Sequence, residues 1–326
     1  MILNIKTSTN KKAECESLES SPLAKVGNTP LFKISNILTP IPIFAKAEWF
    51  NPGGSVKDRA ALNMILKGEE SEKLKPGKII LDATSGNTGI AYAWIGAAKG
   101  YPVKLCVPGS ISVSRKKILL SYGAELIFTN PQEMIDGAIQ KAKEIYHQNP
   151  DLYFYPDQYS NSANWQAHYE TTAKEIWEQT SGKITHFIAG LGTSGTFIGT
   201  ARRLKKLNPK ICCISVQPDS SFHGMEGLKN MASSLVPSIY DERIADKNLF
   251  ISSEKAYSWV RELAKKEGLL VGPSSGGAFA AAKEVAVELE KEKSNSALIV
   301  TVFPDSGEKY LEEDFWNEEE KNDCSD

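Results

Sequence analysis

Short apolar runs alternate with helical patterns along most of the chain. The runs predicted to be strands are Ile43–Ala47, Lys78–Asp82, Val103–Val107, Glu125–Thr129, Thr185–Ala189, Ile211–Val216 and Leu298–Phe303. Because strands and helices alternate, the pattern predicts an α/β fold in which parallel sheets are flanked by helices. Ligands of such sheets bind beyond the carboxyl ends of the strands, so the loops that follow strands are where functional residues are expected.

Helical spacing of apolar residues fills the segments between these runs. In Met134–Tyr146 the apolar positions recur with the period of a helix. Asn164–Gln179 and Glu254–Lys266 show similar spacing, and Gly276–Lys293 begins with small apolar residues and ends with charged ones. We therefore predict a helix over each of these segments.

Composition excludes several classes of protein. The chain has 326 residues, of which 41% are hydrophobic and 24% charged, and its net charge of -2 gives no attraction to nucleic acid or anionic membranes. Neither a signal peptide nor an apolar run of membrane-spanning length is recognisable, so we expect a cytoplasmic location and no membrane partner. Cysteines and histidines show no metal-ligand spacing, so no metal is expected, and His168 is predicted to be solvated or half-buried on a helix.

The segment 51–59 carries a lysine in a position suited to chemistry. Pro52 and Gly53 predict a sharp turn, and Ser55 with Asp58 matches a capping box for a helix over 60–66. Lys57 then lies in the first helical turn, where the helix dipole disfavours a protonated amine, and such a lysine can form a Schiff base. Taken alone, this loop favours a solvated surface lysine in a capped helix, because most lysines are solvated.

Two Gly-rich loops follow strands and lead into helices. Thr84–Gly89 offers hydroxyls and helix-start amides that suit a carboxylate, although a plain turn with a good N-cap has the same composition. Gly190–Thr196 matches the dinucleotide pattern GxGxxG, but the acidic residue that NAD binding needs, Asp219, comes late and after a proline. Several hydroxyls among the glycines suit a single terminal phosphate better.

A fourth loop, Phe303–Glu308, follows the last strong strand. Ser306 is expected to point from the strand end into the cleft, whereas a simple turn serine is the alternative that the loop alone favours.

The four loops together resemble the cysteine synthase family of pyridoxal-phosphate enzymes, which includes the O-acetylserine sulfhydrylases and cystathionine β-synthase. Val26–Leu31 and Gly272–Gly276 also match motifs of that family, and the resemblance extends over residues 22–311. It implies the two-domain, tryptophan synthase β-like fold of type II pyridoxal-phosphate enzymes. In that fold, 1–21 is a polar tail, 22–50 and 162–326 form the large cofactor-binding domain, and 51–161 forms a smaller mobile substrate domain.

The resemblance also implies roles for individual residues. Lys57 would hold the cofactor as a Schiff base and move the Cα proton of the substrate, Asn87 would contact the ring hydroxyl, and Ser306 the pyridine nitrogen. The residues implied for the cofactor phosphate are Gly192, Thr193, Ser194, Gly195 and Thr196, and those for the substrate carboxylate are Thr84, Ser85, Thr88 and Gln158. A neutral hydroxyl at the pyridine nitrogen makes a weaker electron sink, which favours loss of a β-leaving group.

Departures from the commonest family pattern point to its B-type branch. Ser194 stands where many sulfhydrylases have glycine, and the segment 223–231 is closer to the B-type enzymes, which accept bulkier nucleophiles or substrates. We hypothesise that Lys229, in this segment, lies near the leaving group and favours an anionic one; a solvated lysine is the alternative.

The implied reaction forms L-cysteine, or a cysteine-like amino acid, by β-replacement through an aminoacrylate. The substrate is O-acetyl-L-serine or O-phospho-L-serine, and the sulfur donor is sulfide, thiosulfate or a protein thiocarboxylate. A homodimer is expected by analogy. Attack by an amine, as in a diaminopropionate or siderophore-precursor synthase, stays open, while Asn87-Thr88-Gly89 argues against a serine/threonine dehydratase. A dehydrogenase would leave Lys57 and Ser306 unexplained.

Overall fold

The computed structural model describes residues 21–84, 86–294 and 296–317. The strands are β1 (Leu31–Lys33), β2 (Ile43–Ala47), β3 (Ile79–Ala83), β4 (Val103–Pro108), β5 (Glu125–Thr129), β6 (Tyr153–Phe154), β7 (His186–Gly190), β8 (Cys212–Pro218), β9 (Lys247–Ile251) and β10 (Ile299–Phe303). They form two sheets, a six-stranded one in the order β1-β2-β10-β7-β8-β9 and a four-stranded one in the order β5-β4-β3-β6.

The predicted strands are all present, with bounds that differ by at most two residues. Three further strands, β1, β6 and β9, were not predicted. β6 has two residues and β1 has three, which is too short to show an apolar pattern. β1 also pairs antiparallel with β2, so the larger sheet is parallel except at that edge.

The helices account for the predicted helical segments, with two corrections. They are α1 (Lys57–Glu70), α2 (Asn87–Lys99), α3 (Val113–Ser121), α4 (Met134–Gln148), α5 (Ser162–Glu170), α6 (Thr172–Gln179), α7 (Gly195–Leu207), α8 (Ser253–Glu262) and α9 (Pro273–Lys291). The segment predicted as one helix over 164–179 breaks at Thr171, whose hydroxyl donates to the carbonyl of Ala167 at 2.6 Å. The segment over 254–266 ends as α8 at Glu262 and continues as one π-helical turn.

Apolar cores lie on both faces of the larger sheet and on both faces of the smaller one. Phe279 on α9 packs with Ile299 on one face, and Phe197 on α7 packs with Phe187 on the other. All four strands of the smaller sheet fall between 79 and 154, within the segment predicted as the substrate domain. The domain boundaries and the mobility of that segment stay predictions, and residues 1–20 of the predicted tail lie outside the described residues.

One central cavity lies at the carboxyl ends of strands from both sheets. Residues that follow β2, β7 and β10 in the larger sheet and β3 in the smaller one line it together. This is the arrangement expected when parallel strands of two sheets point their carboxyl ends at a shared cleft. Across the described part of the chain, no helix combines the length and apolarity needed to cross a bilayer.

Candidate active site

Lys57 is held at the cavity by contacts with the end of β10. The amide of Val56 donates to the carbonyl of Pro304 at 2.9 Å, and Ser55 forms an antiparallel bridge with Asp305. Lys57 is the first residue of α1 and lines the cavity. The sequence therefore places the lysine correctly in the first helical turn.

The predicted capping box of α1 is wrong. Asp58 turns away from the helix start and accepts from the amide of Gly53 at 2.5 Å and from Nε1 of Trp94 at 3.0 Å. A Cβ at position 53 would lie 2.4 Å from Oδ1 of Asp58, so this close approach requires glycine. Asp58 thus fixes the turn before Lys57 rather than capping the helix.

Burial lowers the pKa of Lys57, and this effect exceeds the opposing attraction of Asp305 and Glu48. A lowered pKa increases the share of neutral amine, which is the form that attacks a carbonyl. The electrostatics of the cavity therefore suit a Schiff-base lysine.

Asn87 is clamped by two charged residues that the sequence did not single out. Its Nδ2 donates to Oδ2 of Asp305 at 2.7 Å, and its Oδ1 accepts from Nζ of Lys309 at 2.8 Å. Because a carboxylate can only accept and an ammonium can only donate, the orientation of the amide is fixed. Lys309 also donates to the carbonyl of Gly54 at 3.2 Å, which ties this clamp to the loop that carries Lys57.

The loop after β7 forms a cradle at the start of α7. Ser194 has φ 69°, a left-handed conformation that glycine adopts more readily, and its buried Oγ has no hydrogen-bond partner among the described residues. A Cβ at Gly192 would lie 2.0 Å from the carbonyl oxygen of Gly227, so the backbone packs too closely for any side chain. Thr193 accepts from Nδ2 of Asn164 at 3.0 Å.

His168 supports this loop from behind, contrary to the solvated or half-buried position predicted. It is 1% exposed, and its Nε2 lies 3.3 Å from Oγ1 of Thr196. Burial lowers the pKa of His168 to about 3, with Arg59 adding to the effect, so the ring is neutral at physiological pH. The sequence-predicted phosphate residues 192–196 all line the cavity.

The predicted carboxylate-binding residues meet at the end of β3. Oγ1 of Thr84 accepts from the amides of Gly86 and Gly89 at 3.1 Å, which orders the start of α2. Thr88 donates to Oε1 of Gln158 at 2.9 Å. Thr84, Thr88 and Gln158 all line the cavity, whereas Ser85 lies outside the described residues.

Ser306 does not reach the cavity wall. Its Oγ accepts from the amide of Glu308 at 3.2 Å and so caps the turn over 307–310. Ser274, in the first turn of α9, lines the cavity instead. The motif 272–276 was noted in the sequence, but no role was drawn from it, and a pattern of glycine and serine does not reveal which hydroxyl faces a cleft.

Lys229 lies on the cavity wall and is 8% exposed, so it is not the solvated lysine of the alternative interpretation. Its Nζ is 3.7 Å from Oδ1 of Asp136 and 5.4 Å from the centroid of the Tyr159 ring. Within the described residues no cluster of potential metal ligands occurs.

A buried ion network lies beneath α1. The guanidinium of Arg59 bonds Oε2 of Glu48 at 2.7 Å and Oε1 of Glu175 at 2.6 Å, and Glu175 also pairs with Lys46 at 2.7 Å. Arg59 is two positions from Lys57, so the network fixes the helix that carries the lysine.

These residues fit pyridoxal phosphate. The cradle presents an unpartnered buried hydroxyl at Ser194 and glycine backbone with no room for a Cβ, as a phosphate requires. Lys57 presents an amine of lowered pKa on the same cavity.

Comparison with known proteins supports this fit. The family model "Pyridoxal-phosphate dependent enzyme" matches residues 23–305. A cysteine synthase of Aquifex aeolicus is 53% identical over 89% of this chain and 90% of its own length. Cysteine synthase B of Escherichia coli is 39% identical over 90% of this chain and 95% of its own length. The crystal structure of cysteine synthase from Entamoeba histolytica is similar with a TM-score of 0.86 and 34% identity, covering 97% of this chain and 94% of that one.

The chain therefore belongs to the pyridoxal-phosphate dependent enzymes. Within that family it is a member of the cysteine synthases. The predicted family, fold class, cofactor and enzyme class are confirmed.

Proposed function

We propose that the chain forms L-cysteine by replacing the acetoxy group of O-acetyl-L-serine with sulfide. The observation that carries this proposal is the meeting of three features on one cavity: the amine of Lys57, the phosphate cradle over 192–196 and the hydroxyls at the end of β3. A β-replacement enzyme needs all three, to hold the cofactor, to bind the amino-acid carboxylate and to move a proton.

When bound, pyridoxal phosphate supplies an aldehyde that takes up the substrate amine and an electron sink that weakens bonds at the substrate Cα. Lys57 would hold the aldehyde between turnovers and, once released, take the proton from Cα, since its lowered pKa increases the share of neutral amine. Thr84 and Thr88 bind the substrate carboxylate. Because the hydroxyl proton of Thr88 is donated to Gln158, Thr88 contributes its backbone amide in the first turn of α2.

The remaining contacts orient the cofactor. Asn87, held by Asp305 and Lys309, has one Nδ2 hydrogen left for the ring hydroxyl. We assign the pyridine nitrogen to Ser274 rather than Ser306, because Ser274 lines the cavity and Ser306 caps a turn. A neutral hydroxyl at that nitrogen keeps the electron sink weak, which favours loss of a leaving group from Cβ.

The leaving group and the assembly belong to the proposal as well. Lys229 is buried on the cavity wall, where its positive charge attracts an anionic leaving group, so O-phospho-L-serine is proposed as a second substrate. Sulfide is proposed as the primary donor, with thiosulfate and a protein thiocarboxylate as further donors. A cytoplasmic homodimer is proposed by analogy with relatives.

The test begins with the purified wild-type protein. Borohydride reduction of the cofactor-loaded enzyme is expected to label Lys57, as read by peptide mass spectrometry, and Lys57→Ala is expected to abolish L-cysteine formation from O-acetyl-L-serine and sulfide. Lys141→Ala is the matched control, since Lys141 is an exposed lysine away from the cavity. Label on another lysine, or full activity of Lys57→Ala, would contradict the proposal.

The leaving group is tested by the same assay with O-phospho-L-serine in place of O-acetyl-L-serine.

A further inference from the structure

The three hydroxyls of the phosphate cradle over 192–196 differ in their partners. Oγ of Ser194 has none among the described residues, and Oγ1 of Thr193 accepts from Nδ2 of Asn164 at 3.0 Å. Because the same Nδ2 donates to the carbonyl of Gln158 at 2.7 Å, the orientation of this amide is fixed, and Thr193 keeps its own proton. Both hydroxyls can therefore donate to a ligand. The third hydroxyl contacts a histidine, so its role depends on the proton of that ring.

The ring of His168 bridges two threonine hydroxyls. Its Nε2 lies 3.3 Å from Oγ1 of Thr196, and its Nδ1 lies 2.9 Å from Oγ1 of Thr172, the first residue of α6. Close packing of α5 on α7 allows this contact, since a Cβ at Gly199 would lie 2.9 Å from the Cβ of His168. Thr172 has no exposed surface, so its hydroxyl cannot turn to solvent. Each ring nitrogen thus has one fixed contact.

One proton is available for the two ring contacts. Burial holds the pKa of His168 far below neutrality, so one ring nitrogen carries hydrogen and the other accepts. If Nδ1 carried the hydrogen, Nε2 would accept the proton of Thr196, whose oxygen would then face the phosphate with lone pairs alone. If Nε2 carries it, Thr196 accepts from the ring and keeps its proton, while Thr172 donates to Nδ1. A fully ionised phosphate can only accept hydrogen bonds, so it favours the second arrangement.

We propose that Thr172 and His168 are positioning residues that direct the hydroxyl proton of Thr196 toward the cofactor phosphate. All donors then point the same way: Thr172 donates to Nδ1, Nε2 donates to Thr196, and Thr196 donates to a phosphate oxygen. Hydrogen bonds in such a chain polarise one another, which strengthens the last donor. The inference rests on the phosphate site proposed at 192–196, and it depends on neither the leaving group nor the sulfur donor.

The protonated nitrogen of His168 can be observed directly. The cofactor-loaded protein is isotopically labelled at its histidine nitrogens, and the ring nitrogens are recorded by NMR at neutral pH. The signals of His168 are identified by their absence from the spectrum of His168→Gln. We expect hydrogen on Nε2 and none on Nδ1. Hydrogen on Nδ1 in the cofactor-loaded protein would overturn the inference.

Removal of the first hydroxyl in the chain tests its effect on cofactor binding. Thr172→Val keeps the shape of the side chain and loses the hydroxyl, so Nδ1 loses its donor and hydrogen on Nε2 is no longer favoured. We expect the dissociation constant for pyridoxal phosphate to rise about threefold to tenfold, and the phosphorus NMR signal of the bound cofactor to shift. Thr200→Val is the matched control, expected to keep both values, because Thr200 is a buried threonine on the same helix as Thr196 and lies outside the cavity wall.

Two substitutions of the histidine separate positioning from packing. In His168→Gln the amide nitrogen can occupy the place of Nε2 and donate to Thr196, whereas in His168→Asn it lies closer to the place of Nδ1. We expect His168→Gln to keep most of the wild-type cofactor affinity and His168→Asn to lose about tenfold. Equal losses in these two variants, with wild-type affinity in Thr172→Val, would show that the histidine only fills space. Wild-type affinity in Thr196→Ala would place the phosphate elsewhere and overturn the proposed cofactor site as well.

Discussion

At the scale of single residues, Ser194 combines a strained backbone with an unsatisfied hydroxyl. Its φ of 69° favours glycine, and its buried Oγ has no partner among the described residues. The strained backbone and the unsatisfied hydroxyl each lower the stability of the protein. Because such strain persists where function requires it, we infer that the hydroxyl of Ser194 binds a ligand. Ser194 therefore separates stability from cofactor binding more cleanly than the other residues of the cradle.

Substitution of Ser194 by glycine is expected to preserve or raise the stability of the protein and to lower its affinity for the cofactor. Ser194→Gly relieves roughly 1 kcal/mol of left-handed strain, partly offset by the entropy of glycine in the unfolded chain, so the cofactor-free protein keeps or gains stability. Its dissociation constant for pyridoxal phosphate is expected to rise about tenfold, because one donor to the phosphate is lost. Urea unfolding and fluorescence titration measure the two effects.

Ser194→Ala is the matched variant, because it keeps the strain and loses the hydroxyl. It is expected to bind the cofactor as weakly as Ser194→Gly without the gain in stability. Wild-type affinity in both variants would show that the hydroxyl does not bind phosphate.

At the scale of elements, β3 contains a buried carboxyl group directly before the carboxylate-binding loop. Oδ1 of Asp82 accepts from the amide of Ala83 at 2.8 Å, and the carboxyl group is fully buried next to the hydroxyl of Tyr92. Burial raises the pKa of Asp82 to about 7, although the Ala83 amide opposes the rise. The strand is therefore more stable with this group protonated.

The stability of the protein is expected to depend on pH through Asp82. Its pKa is about 3.9 in an unfolded chain, so between about pH 4 and 7 the unfolded state loses the proton that the folded state keeps, and stability falls as pH rises by up to a few kcal/mol. Asp82→Asn is expected to remove this fall and to be more stable than wild type at pH 8. Calorimetry of both proteins at several pH values measures how their stability depends on pH.

Asp151→Asn, at an exposed position, is the control and is expected to retain the wild-type pH dependence. A pH profile of Asp82→Asn that matches wild type would contradict the assignment.

The same scale shows what the sequence can predict. Long apolar strands such as β4 and β10 and the loops that follow strands were predicted, because burial and glycine-rich turns leave local patterns. The clamp on Asn87 was not, because Asp305 lies 218 positions from it in the chain. The role given to Ser306 came from the family resemblance, and Ser274 was not considered, because the direction of a side chain depends on turn geometry that the sequence does not show. The pairing of Arg115 with Glu226 likewise joins segments that no local pattern connects.

At the scale of the whole molecule, the ion network of Lys46, Glu48, Arg59 and Glu175 joins β2, α1 and α6. Arg59 makes paired hydrogen bonds to both glutamates. Glu48 has no exposed side-chain surface, so the loss of Arg59 would leave a buried carboxylate without its guanidinium. Because the network connects three separate elements, its loss is expected to lower the stability of the whole fold.

Arg59→Met is expected to lower the free energy of unfolding by about 3–5 kcal/mol, the usual cost of breaking a buried ion pair from one side. Arg243→Met is the matched control: the side chain of Arg243 is 85% exposed and pairs with Asp241, so its loss is expected to leave the free energy of unfolding nearly unchanged. Urea unfolding measures both. Equal small losses would show that the buried network does not stabilise the fold.

The tie between Lys309 and Gly54 also bears on synthesis of the protein in the cell. The two residues are 255 positions apart, and the segment over 304–310 supplies contacts to the loop before Lys57 and to Asn87. A ribosome must therefore translate beyond residue 309 before the nascent polypeptide can complete the cofactor pocket. Products of interrupted translation would lack these contacts, so their cofactor pocket would be incomplete. Apolar surface of their strands would then be accessible to chaperones.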